Sequence, residues 1–315
     1  MSKKNFLAYV VFAIAIFLFP VVERDEYFLT VMIIVGINVL VTLGLTMLIG
    51  FAGQLSLCQA AFYGIGAYTT GVLSTKFGIN PWISIVFAIF LACCVAFFLG
   101  LPALKLRGHY LAMATLGFGE IVNIVFKELG TLTGGPSGLT GIPRLTLAGI
   151  CLDTDLRYFV FVWFFVLLVI AFLMNLTRSR VGRGLLALKR SEDAAGVMGV
   201  PVARYKIEVF MLGSALAALG GAFYAHYVTV ISPESFDVFF SLVVVTMVVA
   251  GGLTYVWGSV IGAFFFTILP EVLQAFEDYS IVTYGSILLF ILMFMPQGIA
   301  GIIDSGMKKV KRAFS

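Results

Sequence analysis

The sequence predicts an all-α, polytopic transmembrane bundle of about ten spans, and three observations carry that prediction. Of 315 residues, 61% are hydrophobic and only 11% are charged, where an ordinary soluble domain has about 25% charged residues. The mean hydropathy is +1.08. The apolar residues also gather into runs close to the ~20 residues that a helix rising ~1.5 Å per residue needs to cross a ~30 Å hydrocarbon core. This composition excludes a soluble globular enzyme. With 33 Gly and 31 Phe among so few charges it excludes intrinsic disorder as well.

In chain order the runs cover residues 6–22, 28–49, 59–75, 82–101, 109–126, 158–176, 207–228, 238–253, 257–273 and 281–303. The third and eighth are short. The first follows Met-Ser-Lys-Lys and continues into Phe-Pro-Val-Val-Glu-Arg-Asp-Glu with no small-residue cleavage site, so it reads as a retained span rather than a signal peptide. With the N-terminus inside, ten crossings leave Lys3, Lys4, Lys105, Arg107, Arg178, Arg180, Arg183, Lys189, Arg190, Arg204, Lys206, Lys308, Lys309, Lys311 and Arg312 inside, which is 15 of the 20 basic residues. Most acids fall outside. The positive-inside rule therefore favours both termini on the cytoplasmic side.

The bases lie between long apolar runs rather than in a patch, so the net charge of +4 gives no nucleic-acid reading. Cys58, Cys93, Cys94 and Cys151 show no CxxC spacing, and packing is their expected role. Two histidines, His109 and His226, give little basis for a metal site or proton relay.

One inside loop, 178–206, stands apart, because it holds seven bases beside Glu192 and Asp193 and so carries 9 of the 36 charges. Leu185, Leu188, Ala195 and Met198 recur at helical intervals, and Ser191 or Asp193 can cap a second short helix. The spacing predicts an amphipathic helix lying against a cytoplasmic partner. Charge alone fits better a loop that fixes topology and binds anionic headgroups.

Within this loop Asp193-Ala-Ala-Gly-Val-Met-Gly199 resembles the EAA loop of ABC importer permeases, with Asp where that family usually has Glu, so either Glu192 or Asp193 fits the acidic position. Six further stretches strengthen the likeness: Gly50-Phe-Ala-Gly-Gln-Leu-Ser, Phe62-Tyr-Gly-Ile-Gly-Ala-Tyr68, Leu104-Lys-Leu-Arg-Gly-His-Tyr-Leu-Ala-Met-Ala-Thr-Leu116, Thr133-Gly-Gly-Pro-Ser-Gly-Leu-Thr-Gly-Ile-Pro143, Gly251-Gly-Leu-Thr-Tyr-Val-Trp-Gly258 and Pro296-Gln-Gly-Ile-Ala-Gly301. Together with Ser232-Pro-Glu-Ser-Phe236 they resemble the LivM-type permease subunit of high-affinity branched-chain amino acid ABC importers.

That resemblance implies a single type II ABC importer-like permease domain over 1–315, in a bacterial inner membrane. It implies inward transport of leucine, isoleucine and valine, with urea or amides as the substrates of related permeases. The implied partners are a second related permease, two cytoplasmic ABC ATPase subunits and a periplasmic substrate-binding protein. Arg183, Gly184, Glu192, Asp193, Ala194, Ala195 and Gly199 become the implied ATPase-coupling residues. No catalytic residue, cofactor or metal is implied. In agreement, a P-loop needs Gly-Lys-Ser/Thr, and the chain has no Gly-Lys dipeptide, so ATP hydrolysis is expected from the partner subunits.

Residues 50–71 hold Gly50, Gly53, Gly64, Gly66 and Gly71 with Gln54, Ser56 and Gln59, which is too polar for a lipid-facing span. They fit a broken or re-entrant segment lining a path, and they equally fit close helix packing through small residues. Ala250-Gly-Gly-Leu-Thr and Ile261-Gly-Ala-Phe echo Ala52-Gly-Gln-Leu-Ser and Ile65-Gly-Ala-Tyr. Gly258 and Gly262 have a GxxxG packing spacing.

Glu120 is the one acid deep in an apolar run, and a charge there costs roughly 2.5–3.5 kcal/mol to insert, so it is expected to face protein or water. Asn123 lies three residues on, at a position read as the same helical face, and Asn38 is the comparable polar residue of the second run. Both Glu120 and Asn123 are candidates for lining the path, with assembly between helices as the other role. The Gly-rich outer loop 128–157 is expected to be mobile and to touch the binding protein. An ion-coupled transporter would want acids paired across the midplane, and a membrane enzyme would want a His/Asp/Glu cluster; the sequence has neither pattern.

Overall fold

The computed structural model describes residues 3–22, 25–103, 105, 106, 108–147, 150–273, 298 and 301. The nine apolar runs that fall among them each form a helix, and the tenth, 281–303, lies almost wholly outside the described residues. Five helices are long and apolar enough to cross a membrane: Glu26–Ala52, Pro81–Ala103, His109–Glu128, Asp155–Leu176 and Val202–Val228. Tyr9–Pro20, Val238–Gly251 and Val256–Glu271 are shorter apolar helices. The expected ten full crossings thus become five full-length helices among the described residues, with the others short of that length. The only sheet among them is a two-stranded ribbon, Thr146–Leu147 against Ile150–Cys151.

Helix α2 (Glu26–Leu45) is the hub. It is apolar on every face, and a helix hydrophobic all round has to be surrounded by protein or lipid; here nearly every residue from Met32 onward is buried. Helices α7 (Asp155–Leu176), α10 (Val202–Val228) and α12 (Val256–Leu273) pack around it. Polar anchors set the register, since Trp163 Nε1 donates to the Met32 carbonyl (3.1 Å) and Asn38 donates to Thr267 Oγ1 (2.9 Å). Thr46 and Ser259 share a 2.6 Å hydrogen bond. Asn38, read from sequence as a polar residue of its span, therefore serves to join α2 to α12. On the outside of the hub, α1 (Lys3–Val22) leans on α7 through Tyr9, whose hydroxyl donates to the Leu167 carbonyl.

Small residues bring the next layer into backbone contact, the usual solution where no water drives helices together. Gly66 of α3 (Gln59–Thr75) lies against the Ala218 backbone of α10, and Gly221 of α10 against Tyr63. The GxxxG pair is used in the same way: Gly258 and Gly262 of α12 abut Gly251 and Met247 of α11 (Val238–Gly251). Helices α4 (Pro81–Ala103) and α5 (His109–Glu128) complete the bundle with outward faces.

Helix α11 is the discontinuity that hydropathy alone does not locate. At 14 residues it spans ~21 Å, and it begins beside the middle of α3, where the Phe236 ring stands 5.5 Å from those of Tyr63 and Tyr68. A 3₁₀ turn, Pro233–Phe236, leads into it, and Asp237 caps it by accepting from Phe240 N.

The helix ends fall into two sets that keep apart in the observed contacts. Tyr27 bonds Glu271, Trp82 Nε1 donates to the Thr146 carbonyl, Tyr227 bonds Asp155 and Leu139 pairs with Ile231. All of these positions are ones the sequence places outside. On the other side, Gly50 meets Lys189 and Glu192 meets Lys206, all positions placed inside.

Candidate functional site

Two short helices form the loop that charge singled out. Helix α8 (Arg180–Arg190) starts at Ser179, whose Oγ accepts from Gly182 N (3.3 Å), and α9 (Glu192–Val197) starts at Ser191, which accepts from Ala194 N (3.3 Å). A serine at each N-cap satisfies an amide that has no partner in the first turn. The amphipathic expectation holds for Leu185, Leu188 and Ala195, which are buried while Arg183 lies in solvent, and fails for Met198, which follows the end of α9 and is exposed. Gly184 leaves room for the Tyr205 ring of α10.

Helix α9 ends in a Schellman motif. Gly199 N–H bonds the Gly196 carbonyl and Val200 N–H reaches back to Ala195, both at 3.0 Å, while Gly199 itself sits in the left-handed region with φ +81°. This explains in local terms why a glycine ends the segment. The two acids that the sequence could not tell apart differ in burial: Glu192 is partly buried and meets the ammonium of Lys206 at 2.5 Å, with the Lys206 side chain only 8% exposed, while Asp193 and Ala194 are exposed. Neither the Glu192–Lys206 pairing nor the tip of the loop was legible from the motif. At the tip Val197 and Met198 are 89% and 84% exposed, an apolar knob raised on a polar loop.

A second contact ties this loop to the interior. Beyond Leu45 the hub helix widens into a π-helical turn, Thr46–Ala52, which stops at Gly53 with φ +70°. Lys189 Nζ donates to the Gly50 carbonyl in that turn (2.8 Å), and the partial burial of the ammonium lowers its pKa from the usual lysine value.

The residues expected to line a path divide. Gln54, within the 53–58 segment, and Gln59, just after it, are buried, and neither side-chain amide has a hydrogen-bond partner. Ser56 lies between them and shares a hydrogen bond with Cys58 (3.2 Å). Leu57 N donates to Thr115 and Ala60 N to Ser241, so this segment is held by α5 and α11. Gly64 fits against the Phe126 and Phe236 side chains, and Gly66 against the Ala218 backbone; in both, the absence of a side chain permits close packing.

Glu120 and Asn123 do not share an environment, contrary to the expectation of one face. Three residues turn an α-helix by ~300°, and that offset puts Asn123 inside and Glu120 on the exposed side with Met113, Ile121 and Ile124. Asn123 donates to the Pro233 (2.8 Å) and Phe236 (3.2 Å) carbonyls, so it holds the turn that starts α11.

The outer loop is also more ordered than its glycines led one to expect. Leu139 pairs with Ile231, His226 Nδ1 donates to the Pro143 carbonyl (2.6 Å), and Lys76 bonds the Thr131 carbonyl. Gly134 and Gly138 adopt positive φ, and Gly138 lies against the Ile231 carbonyl, so these glycines shape a tethered loop.

Comparison with known proteins points in one direction. The family described as "Branched-chain amino acid transport system / permease component" matches residues 27–295. The chain is 33% identical over 286 residues to the high-affinity branched-chain amino acid transport system permease protein LivM of Escherichia coli, covering 84% of this chain and 67% of that protein. It is 26% identical over 328 residues to a probable branched-chain amino acid transport permease protein LivM of Methanocaldococcus jannaschii, covering 87% and 94%. A shorter stretch of 93 residues is 33% identical to the L-arabinose transport system permease protein AraH of Escherichia coli, covering 30% and 28%. No solved structure matches the chain significantly.

Proposed function

The chain belongs to the permease-component family of branched-chain amino acid transport systems, and on that premise we propose that it is the transmembrane permease subunit of an ABC importer. It carries leucine, isoleucine and valine inward across a bacterial inner membrane. The observation that bears most weight is the loop α8–α9: a short helix locked at both ends, anchored to α10 through Glu192 and Lys206, and presenting Val197 and Met198 to the cytoplasm. Such a knob fits a groove on an external ATPase, and the absence of a Gly-Lys dipeptide leaves ATP hydrolysis to that partner. Arg183, Gly184, Glu192, Asp193, Ala194, Ala195 and Gly199 form this coupling element within 178–206.

The chain crosses the membrane about ten times with both termini cytoplasmic; α11 is a short crossing, and 50–71 is the broken segment. The basic-residue bias and the separation of the two sets of helix ends support this topology. The translocation path runs beside 53–58 and α5. Gly53 ends the broken hub helix there, and Ser56 with the unpaired amides of Gln54 and Gln59 supplies polar groups inside the bundle that a passing amino acid can engage. Gly64 and Gly66 keep α3 close to α5 and α10 beside this path, and Asn123 fixes the turn that faces them. Glu120 looks outward from the middle of a 20-residue helix, where lipid is a costly neighbour, so a second, related permease covers that face.

Two cytoplasmic ATPase subunits complete the machine, and a periplasmic binding protein docks on the tethered loop 128–157. Closure of the ATPase dimer pulls on α9, tilts the helices flanking 50–71 and switches access from outside to inside. The test is ATP hydrolysis by the reconstituted complex with its binding protein loaded in turn with leucine, isoleucine, valine, urea and a simple amide. Stimulation by the three branched-chain amino acids is expected; stimulation by urea or the amide alone would reassign the substrate.

A further inference from the structure

The last carbonyls of a helix have no following turn to bond. In the π-helical turn Thr46–Ala52 one of these, Gly50, is held by the Lys189 ammonium at 2.8 Å, across 139 positions of sequence. A cation at a helix C-terminus also complements the partial negative charge there. The stem of the same lysine lies over Gly53, where an added Cβ would stand 3.1 Å from Lys189 Cγ and 3.5 Å from its Cβ. On its other side Gly50 rests against the Leu253 carbonyl, in the turn between α11 and α12. One side chain from the last turn of α8 thus meets the end of the hub helix where the turn between α11 and α12 also packs. A lysine whose task is topology or headgroup binding has no reason to turn back onto a carbonyl in this way.

From this geometry we infer that Lys189 is a positioning residue of the transport cycle: it clamps the coupling loop to the end of the hub helix, so that displacing the loop carries the π-helical turn and 53–58 with it. Glu192 and Lys206 tie the loop to α10, whereas Lys189 supplies the side-chain hydrogen bond from α8 to the π-helical turn, and without it the pull of the ATPase is passed to the 53–58 segment less directly than to α10. The inference rests on the permease reading above and adds the link by which that reading moves the path.

The experiment uses the complete complex in liposomes and counts labelled leucine taken up per ATP hydrolysed. Lys189→Met keeps the stem and removes the ammonium, and it is expected to lower this ratio about tenfold, within the usual range of coupling between sites, while the ATPase still copurifies. Lys189→Arg restores the charge and the hydrogen bond and is expected to recover most of the ratio. An unchanged ratio in Lys189→Met overturns the inference, and so does a loss that Lys189→Arg fails to recover. Should Lys189→Met not assemble, the pair Gly53→Cys with Lys189→Cys decides, in a background where the four native cysteines are replaced. Their Cβ separation falls in the disulfide range of ~3.5–4.5 Å. Oxidation is expected to restore coupling by replacing the clamp with a covalent bond, and a crosslinked pair that stays uncoupled overturns the inference. A wild-type complex without binding-protein-dependent ATP hydrolysis overturns the permease reading itself; a coupled wild type beside an equally coupled Lys189→Met overturns this inference alone.

Discussion

Substitutions at Gly199 separate backbone strain from bulk in the coupling loop. A Cβ added at Gly199 meets nothing within 4 Å, so size is not the obstacle; the backbone is, because φ is +81°. An L-residue held in the left-handed region costs roughly 1–2 kcal/mol, less for Asn, whose side chain tolerates it, and more for a β-branched residue. Helix α9 has only six residues and no spare turn over which to spread that strain, so the loop leaves its docked shape instead. A shift of about 1 kcal/mol for Gly199→Ala lowers the competent population roughly fivefold, and about 2 kcal/mol for Gly199→Val lowers it roughly thirtyfold. Uptake per ATP in the reconstituted complex should fall in the order Gly, Asn, Ala, Val. If Asn ranked below Ala, the order would follow size, and the account of Gly199 as a left-handed cap would be wrong.

Other perturbations probe the remaining contacts. Glu192→Gln removes the carboxylate charge 2.5 Å from the buried Lys206 ammonium; because Glu192 keeps a quarter of its side chain in solvent, about 1–3 kcal/mol is expected, read as a lowered melting temperature in detergent that Lys206→Met in the same chain partly restores. Gly66→Val drives a branched side chain into the Ala218 backbone and should separate α3 from α10, at a cost of about 3 kcal/mol or more; a folded Gly66→Val protein of native stability would refute that packing. Deleting 134–138 removes the turn that leads to the Leu139–Ile231 pairing and should abolish stimulation by the binding protein while the ATPase still copurifies. Intact stimulation would remove this loop from the docking surface.

How far the sequence reaches depends on how local each cause is. The run 59–75 coincides with α3, although the start of that helix is tied by Ser241 of α11 rather than by a local cap. Gly199 was visible in the motif because a Schellman cap involves only the residues next to it. Helix α11 shows the opposite case: its apolar run reads like any other short span, and its start beside the middle of α3 depends on Asn123, 110 positions away from Pro233. Hydropathy counts apolar residues without regard to where a partner holds them. Likewise the spacing of Glu120 and Asn123 placed them together, while the packing of α5 divides them between exterior and interior. The clamp from Lys189 to Gly50 and the Glu192–Lys206 pair join distant stretches, and charge patterning alone carries no sign of either.

The central claim, that this chain passes branched-chain amino acids inward under the power of a separate ATPase gripping α9, is tested most directly by ATP hydrolysis in the reconstituted complex. With leucine-loaded binding protein the account predicts a rise in hydrolysis, accompanied by leucine accumulation inside the liposomes and abolished in Gly199→Val. A complex that hydrolyses ATP at the same rate with loaded, empty or absent binding protein, and accumulates no leucine, would contradict it.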